Sequence, residues 1–192
     1  MIHFNNITPN ILVIGDLILD EYLWGDCDRI SPEAPVQIIK IHNENQLLGG
    51  AGNVIHNLKT LGAKVDVLSV LSNCDSSKKI RELFSDINVD LQYIVDQKNR
   101  VTSKKSRVIA SQQQVVRFDR ENTESISDQT QSIVIDTFNK IVNNYDVILI
   151  SDYGKGLLTK KLTQTIIKVS NDNNKKVLVD PKGQDYSKYK DS

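Results

Sequence analysis

The sequence has little cysteine and no excess of charge of either sign. It contains two cysteines and one tryptophan in 192 residues, and 24 Lys and Arg residues balance 24 Asp and Glu residues. A net charge of zero excludes a broad attraction to nucleic acid or to an anionic membrane, so any affinity for phosphate must come from a local site. Cys27 and Cys74 have no second Cys or His at metal-ligand spacing, so we interpret them as two reduced thiols.

Long apolar runs are also absent. The longest, such as ILVIG at 11–15 and VILI at 147–150, are far shorter than the roughly 18 residues that a membrane span needs. The N-terminal MIHFNNITPN has no basic region ahead of an apolar one, which disfavours a secretory signal and favours a cytoplasmic protein. His3, His42 and His56 form no HExxH-like pattern, so the sequence indicates neither zinc chemistry nor a Cys/His nucleophile.

Short apolar runs that end at an aspartate are the clearest pattern present. Three have this form: ILVIGD (11–16), VILISD (147–152) and KVLVDP (176–181). Their continuous apolarity indicates strands covered on both faces, as in a parallel sheet, and VDVLSVL (65–71) fits the same sheet. Helical spacing predicts helices in four stretches, at 53–61, 76–87, 127–143 and 159–171. Gly62 is expected to follow the first, and Ser127 or Asp128 to cap the third. Alternating strands and helices predict an open α/β sheet with helices on both faces.

Two segments, 22–48 and 100–120, break this alternation. They contain β-rich stretches with no helix between them, namely VQIIKIH (36–42), TSKKSRVIA (102–110) and VVRFD (115–119). We interpret them as antiparallel strands set apart from the main sheet. They would form a small second sheet that covers a site or pairs with another subunit.

Carboxylates mark the edge of the sheet where a ligand is expected. In an open parallel sheet, ligands bind beyond the carboxyl ends of the strands, where Asp16, Asp152 and Asp180 fall, with Asp20 in the first loop. Such carboxylates can accept hydrogen bonds from sugar hydroxyls, hold Mg²⁺ or act as a base. Each one alone could equally cap a helix or form an Asx-turn, but three together favour a polar site.

Glycines and basic residues add candidates for oxygen-rich ligands. Gly49 and Gly50 precede the first helix, where glycine permits close approach and exposed N–H groups favour oxygen ligands. The turn matches neither the P-loop nor the dinucleotide-binding pattern and could equally be a tight loop. The basic residues are Lys104, Lys105, Arg107 and Arg117 on the second sheet, and Lys155 and Lys182 after the aspartate-tipped strands. They suit a phosphate, although the sheet cluster could equally be a solvated edge.

Five stretches occur in an informative order along the chain. They are VIGDLILDEYLWGDCDRISPEAPV (13–36), LGGAGNVIHNLKTLGA (48–63), TSKKSRVIASQQQVVRFDRE (102–121), ISDYGKG (150–156) and VLVDPKGQDYSKY (177–189). Together they strongly resemble the ribokinase-like (PfkB) sugar kinases. The strings RISPEAPV and SDYxKG resemble one subgroup, the D-glycero-D-manno-heptose 7-phosphate kinases, which occur alone or as the first half of bifunctional proteins with an adenylyltransferase.

The resemblance implies a Rossmann-like ribokinase fold, with a mostly parallel sheet and a small β-sheet lid that covers the substrate and joins a homodimer. It implies that Asp20 accepts hydrogen bonds from sugar hydroxyls and that Gly49, Gly50 and Asn53 form the substrate loop. Further implied substrate contacts are Lys105, Arg107, Gln114, Arg117 and Lys155. Asp16 and Asp152 take supporting roles, and Asp180 and Lys182 lie toward the phosphates or the nucleotide.

The implied reaction is phosphoryl transfer from MgATP to the anomeric hydroxyl, giving heptose 1,7-bisphosphate on the way to the ADP-heptose of lipopolysaccharide. It requires a base, donors for the transferring phosphoryl group and a metal ion. In the family, an NxxE motif, a nucleotide loop and GAGD with the catalytic aspartate follow DPKG, and none of them occurs in these 192 residues. The string GAGN at 50–53 places an amide where GAGD has its base. We therefore name no catalytic base within the chain and expect the base beyond Ser192.

We expect the sugar-binding and lid-bearing part of a kinase domain, with its C-terminal part missing and little or no turnover by this polypeptide alone. Two alternatives stay open, namely another PfkB sugar kinase and a non-catalytic sugar-binding or dimerising fragment. Reading the coding frame beyond codon 192 for NxxE and GAGD would discriminate the enzyme from the fragment.

Overall fold

A computed structural model describes residues 8–192, so the predictions that concern the first seven residues, including His3, lie outside the described part. Nine strands and four α-helices follow one another within residues 8–192. They are β1 (Asn10–Gly15), β2 (Leu17–Ile30), β3 (Gln37–Gly50), α1 (Ala51–Thr60), β4 (Lys64–Leu71), α2 (Asp75–Asp86), β5 (Ile94–Asp96), β6 (Ser103–Ala110), β7 (Gln113–Arg120), α3 (Asp128–Ile141), β8 (Val147–Ser151), α4 (Lys160–Asp172) and β9 (Lys176–Asp180). Short 3₁₀ turns occupy Val142–Asn144 and Ser187–Tyr189.

The main sheet has five parallel strands in the order β5-β4-β1-β8-β9. Alternate residues of β1 enter different cores because successive side chains of a strand point to opposite faces. Leu12 and Ile14 pack in a core with residues of α3 and α4, whereas Ile11 and Val13 pack in a core with residues of α1 and α2. The predicted α/β class, with helices on both faces of a mostly parallel sheet, is confirmed.

The ends of the helices at Ser127 and Gly62 follow the capping chemistry that the sequence indicates, whereas the cap at Thr159 was not predicted. Ser127 caps α3, its Oγ accepting a hydrogen bond from the backbone N–H of Thr130 at 3.1 Å, and Thr159 caps α4 in the same way through Leu162. Gly62 follows α1 at a φ of 88°, a left-handed conformation that suits glycine. The first two caps are worth about 1 kcal/mol each. The three-residue strand β5 was not predicted, because so short a segment carries no measurable period.

A second sheet, which we name the lid sheet, contains β2, β3, β6 and β7 in the order β3-β2-β6-β7. Two of its pairings are antiparallel, as predicted, but β2 and β6 pair in parallel, so the expectation of a purely antiparallel sheet was wrong. The strand β2 also begins at Leu17, five residues before the predicted segment. Asp20 therefore lies on a strand and not in a loop. Leu17 and Leu19, two residues apart on the same face of this strand, both pack in the core.

The two sheets join at a narrow stem. Asp16 is the single residue between β1 and β2, and Gly50 ends β3 directly before α1. The backbone N–H of Ala51 donates a hydrogen bond to the carbonyl of Asp16 at 3.0 Å. This bond joins the connection from β1 to β2 with the connection from β3 to α1. Gly50 has a φ of 57°, and a Cβ there would lie 2.5 Å from the Asp16 carbonyl oxygen, so the stem requires glycine at this position.

Candidate functional site

Asp16 lies at the carboxyl end of β1, where its side chain is only 4% exposed. Its Oδ2 accepts hydrogen bonds from the backbone N–H groups of Tyr153 and Lys155, each at 3.1 Å, and its Oδ1 accepts one from Leu157 at 3.2 Å. Burial raises the pKa of Asp16 and outweighs these amides, which lower it. Asp16 therefore holds the SDYGKG loop at the edge of the main sheet, and its part in substrate binding stays a prediction.

Asp152 ends up beside Asp16 because β1 and β8 are neighbours in the sheet. It is 3% exposed, and its Oδ1 accepts a hydrogen bond from Gly154 N–H at 2.7 Å in an Asx-turn. Its Oδ2 accepts from Lys188 Nζ at 2.5 Å and from the Tyr189 hydroxyl at 2.7 Å. Both oxygens are thus engaged by protein donors, and the carboxylate anchors the segment around Ser187–Tyr189.

Asp180 ends β9 on the same edge and is exposed, and its carbonyl accepts a hydrogen bond from Asp152 N–H at 3.0 Å. Burial raises the pKa of Tyr153, and the negative charges of Asp180 and Asp20 raise it further. Tyr153 directly follows Asp152, and its backbone N–H contacts Asp16, so it lies at the carboxylate edge of the main sheet. Sequence reasoning did not select it, although it lies inside the SDYGKG string. Lys182, beyond Asp180, is exposed.

Asp20 on β2 is joined to Arg107 on β6. Arg107 Nη1 lies 2.6 Å from Asp20 Oδ1, and both side chains are about one-fifth exposed, at 19% and 21%. The guanidinium also lies 5.2 Å from the ring centroid of Tyr22, in cation–π range. Burial lowers the pKa of Arg107, but the hydrogen bond and charge of Asp20 outweigh it, so the pKa stays above its ordinary value.

Gly49 makes room for the carboxylate of Asp20. A Cβ at this position would lie 2.2 Å from Asp20 Oδ2, which is closer than any real contact. The predicted substrate loop and the predicted hydroxyl acceptor are therefore packed together. Asn53, the third predicted member of the loop, lies exposed in the first turn of α1.

Charged residues of three lid strands share the face that carries Asp20. Across the strands, Asp20 is opposite Lys105, Lys105 is opposite Asp119, and Arg107 is opposite Arg117. Arg117 Nε lies 3.1 Å from Asp119 Oδ1. Gln114 is opposite Ile109, two residues beyond Arg107 on the same strand, and is exposed. The strand register thus places Lys105, Arg107, Gln114 and Arg117 on one face of the lid sheet, and their contact with a sugar phosphate stays a prediction.

Lys155 is held by a carboxylate that sequence reasoning missed. Its Nζ lies 2.6 Å from Oε2 of Glu121, the residue directly after β7, so this contact links the SDYGKG loop to the end of the lid sheet. Arg100 donates hydrogen bonds to the carbonyls of Lys155 and Glu124, the second at 3.1 Å. Burial lowers the pKa of Arg100 and outweighs the opposing charges of Asp16 and Glu124. No local pattern marks Glu121 or Arg100.

Residues 8–192 contain no group of three or more His, Cys, Asp or Glu side chains placed to hold a metal ion. In the same described part, every helix is too short or too polar to cross a bilayer.

Ser192, the last residue of the sequence, has a structural contact and no part in the candidate site. It is exposed, and its backbone N–H donates a hydrogen bond to the carbonyl of Tyr189 at 3.2 Å. The catalytic base expected beyond Ser192 lies outside the described residues, so its position stays a prediction.

The main sheet, the lid sheet and the carboxylate edge between them define an α/β protein of the ribokinase type. The chain belongs to the family of pfkB carbohydrate kinases, whose model matches residues 8–192. Its relatives include the bifunctional protein HldE of Aliarcobacter butzleri, 54% identical over 96% of this chain and 39% of that protein. HldE of Sulfurimonas denitrificans is 52% identical over 95% of this chain and 38% of that protein. The chain thus spans about two-fifths of the length of these relatives.

Solved structures share the fold at low sequence identity. Arabidopsis thaliana ribokinase, solved with ribose and ATP, has a TM-score of 0.64 and 19% identity, over 93% of this chain and 55% of that one. A carbohydrate kinase from Agrobacterium tumefaciens has a TM-score of 0.62 and 13% identity, over 90% of this chain and 53% of that one.

Proposed function

We propose that this chain forms the sugar-binding and lid-bearing part of a kinase that phosphorylates D-glycero-D-manno-heptose 7-phosphate at its anomeric hydroxyl, in ADP-heptose formation. The observation that carries the proposal is the packing of Asp20 against Gly49, on a lid face that also presents Lys105, Arg107 and Arg117. Membership of the pfkB family and the extensive identity to bifunctional HldE proteins support it.

Each candidate residue has a proposed role. Asp20 accepts hydrogen bonds from sugar hydroxyls, and Gly49, Gly50 and Asn53 shape the junction of β3 and α1 that receives the sugar. Lys105, Arg107, Gln114 and Arg117 bind the sugar phosphate, since guanidinium and ammonium groups pair with phosphate oxygens. Asp16, Asp152 and Lys155 hold the SDYGKG loop and, through it, the edge beside the sugar.

The proposed phosphoryl donor is ATP with Mg²⁺. Asp180 and Lys182 lie exposed at the carboxyl end of β9, and we assign them to the phosphate or nucleotide side of the site. MgATP would supply the phosphoryl group, while the residues described above bind and orient the acceptor sugar. We also propose that the protein acts in the cytoplasm, consistent with the two unpaired cysteines Cys27 and Cys74.

Isothermal titration tests the substrate. The 192-residue chain should bind heptose 7-phosphate more tightly than fructose 6-phosphate, whereas the reverse order would favour another sugar-phosphate kinase. Binding of neither sugar would overturn the proposal. We expect a coupled ADP-release assay of the same chain to show far less than the roughly 1–100 s⁻¹ that is typical of kinases.

We further propose that two copies associate through the lid sheet. Its strand β7 is an exposed edge, and Val115, Val116 and Phe118 on it are 43%, 47% and 52% exposed. An edge strand with exposed apolar side chains favours pairing with another chain. Sedimentation equilibrium should show a dimer for the wild type and a monomer for Val116→Lys. A wild-type monomer at micromolar concentration would contradict the proposal.

A further inference from the structure

Asp20 and Arg107, which have different proposed roles in binding the sugar phosphate, form an ion pair with each other. Asp20 is assigned to the hydroxyls of the sugar and Arg107 to its phosphate, yet Arg107 Nη1 lies 2.6 Å from Asp20 Oδ1. The other oxygen, Oδ2, lies against the Cα of Gly49, where even a methyl group has no room. Arg107 therefore occupies the more accessible oxygen of the carboxylate that the sugar is meant to use.

The strength of the ion pair between Asp20 and Arg107 determines which groups of a ligand can displace it. Both side chains are about four-fifths buried, so solvent screens the pair less than an exposed surface pair. A charge-assisted hydrogen bond is roughly twice as strong as a neutral one, so a neutral sugar hydroxyl competes poorly with the guanidinium for Asp20. A phosphate dianion carries more charge than the carboxylate and can engage the same guanidinium through two oxygens.

The surrounding lid face favours such a phosphate. Lys105, Arg107 and Arg117 supply three positive charges, while Asp20 and Asp119 supply two negative ones on the same face. One positive charge is thus in excess before an anion arrives.

We propose that the ion pair between Asp20 and Arg107 makes the sugar phosphate a requirement for binding the sugar. The phosphate draws Arg107 away from Asp20, and the released Oδ1 accepts a hydrogen bond from a sugar hydroxyl. An unphosphorylated sugar does not displace Arg107, so Asp20 stays paired and its Oδ1 is not available to the sugar hydroxyl. This inference rests on the proposed function, and it assigns Arg107 a role in specificity as well as in affinity.

The test compares two ligands on matched variants of the chain. Isothermal titration measures heptose 7-phosphate and unphosphorylated heptose on the wild type, on Arg107→Met and on the double variant Asp20→Asn, Arg107→Met. The matched control is Arg81→Met, which breaks another Arg–Asp pair, Arg81 with Asp96 at 2.6 Å, on α2 and β5. Circular dichroism and urea unfolding establish that each variant is folded before titration.

We expect Arg107→Met to lose about tenfold or more in affinity for heptose 7-phosphate, the loss of a hydrogen bond to a charged group. The same variant should gain at least about threefold for unphosphorylated heptose, because Asp20 is released. The double variant should lose that gain, which shows that it acts through Asp20, and Arg81→Met should match the wild type for both ligands.

The gain for the unphosphorylated sugar is the decisive result. If Arg107 only bound the phosphate, Arg107→Met would weaken the sugar phosphate and leave the free sugar unchanged, which would overturn the inference while the proposed function stands. A gain that persists in the double variant would also overturn it. If the wild type binds neither ligand, the proposed function itself fails and the inference fails with it. Should Arg107→Met not fold, Arg107→Lys replaces it, with the same expected directions and smaller changes.

Discussion

Lys104 Nζ lies 2.6 Å from Glu21 Oε1, on the lid face opposite to the one that carries Asp20. Glu21 is buried, and it also accepts hydrogen bonds from Gln46 Nε2 at 2.8 Å and from Ser106 Oγ at 2.6 Å. These donors come from β3 and β6, the two neighbours of β2. One carboxylate therefore binds three strands of the lid sheet together.

Glu21→Gln should destabilise the chain by about 1–3 kcal/mol at pH 7, the cost of losing hydrogen bonds to a buried charge. Burial raises the pKa of Glu21, but its three donors outweigh burial and hold the pKa below the ordinary value of 4.5. A carboxyl with a lowered folded-state pKa contributes stability that is present above the unfolded value and lost as the pH falls through the folded value. The difference in unfolding free energy between wild type and variant should therefore shrink below pH 4.5.

Urea unfolding from pH 7 to pH 3 measures this difference. The control is Glu82→Gln, which removes an exposed pair with Lys79 at 3.2 Å and should cost less than about 1 kcal/mol. A difference for Glu21→Gln that stays constant through this range would show that the carboxylate is not the stabilising form.

Gly49→Ala should lower sugar-phosphate affinity by about tenfold or more, since the new methyl group must displace the Asp20 carboxylate from 2.2 Å. The control is Gly62→Ala, where nothing lies within 4 Å of the added Cβ and only the cost of a positive φ, about 1 kcal/mol, is expected. Titration with heptose 7-phosphate compares the two variants. Unchanged affinity in Gly49→Ala would separate Asp20 from the binding site.

Tyr189→Phe should destabilise the chain by about 1–2 kcal/mol, because the buried hydroxyl donates to Asp152 Oδ2 and accepts from Lys182 N–H. Limited proteolysis should then cut residues 182–192 faster than in the wild type. Tyr186→Phe, at an exposed neighbouring ring, is the matched control and should leave the cleavage rate unchanged. Equal cleavage of Tyr189→Phe and wild type would show that the Asp152 contact does not anchor this segment.

Cys74 should react with iodoacetamide as though its pKa were about 7. Burial raises the pKa of this thiol, but hydrogen bonds from the hydroxyls of Ser72 and Ser77, at 3.1 and 3.4 Å, outweigh it, and the position at the start of α2 also favours the thiolate. The alkylation rate should rise through half its maximum near pH 7. Mass spectrometry on a Cys27→Ser background isolates Cys74, and a midpoint near 9 would contradict the prediction.

Much of the main sheet could be predicted from local sequence. Strands such as β1 and β8 are buried on both faces, and that environment selects continuous apolar residues that the sequence shows directly. The cap at Ser127 was equally predictable, because its partner is only three residues away. Interactions between residues that are close in the sequence produce local sequence patterns, and such patterns can be recognised without the structure.

The position of the candidate site could be predicted from the sequence, but the ion-pair and hydrogen-bond partners of its residues could not. Aspartates at strand ends could be placed on one edge, but Lys188, which pairs with Asp152, lies 36 residues along the chain, and Arg107, which pairs with Asp20, lies 87 residues along it. No local period links such residues. Which carboxylates are satisfied by the protein, and which are available to a ligand, therefore emerges only from the folded chain.

The parallel pairing of β2 with β6 has a consequence for the order of folding. Glu21 and Ser106, which meet across this pair, are 85 residues apart, and β3, α1, β4, α2 and β5 lie between them along the chain. Closing so long a loop lowers the entropy of the chain before the contacts between β2 and β6 can offset that loss. Long-range pairing of this kind slows folding. Pulse-labelling hydrogen exchange should show the amides of the β2–β3 hairpin protected first, and those at the seam between β2 and β6 only later. The complete four-stranded lid sheet would then be among the last parts of this chain to assemble, although its β2–β3 hairpin forms early.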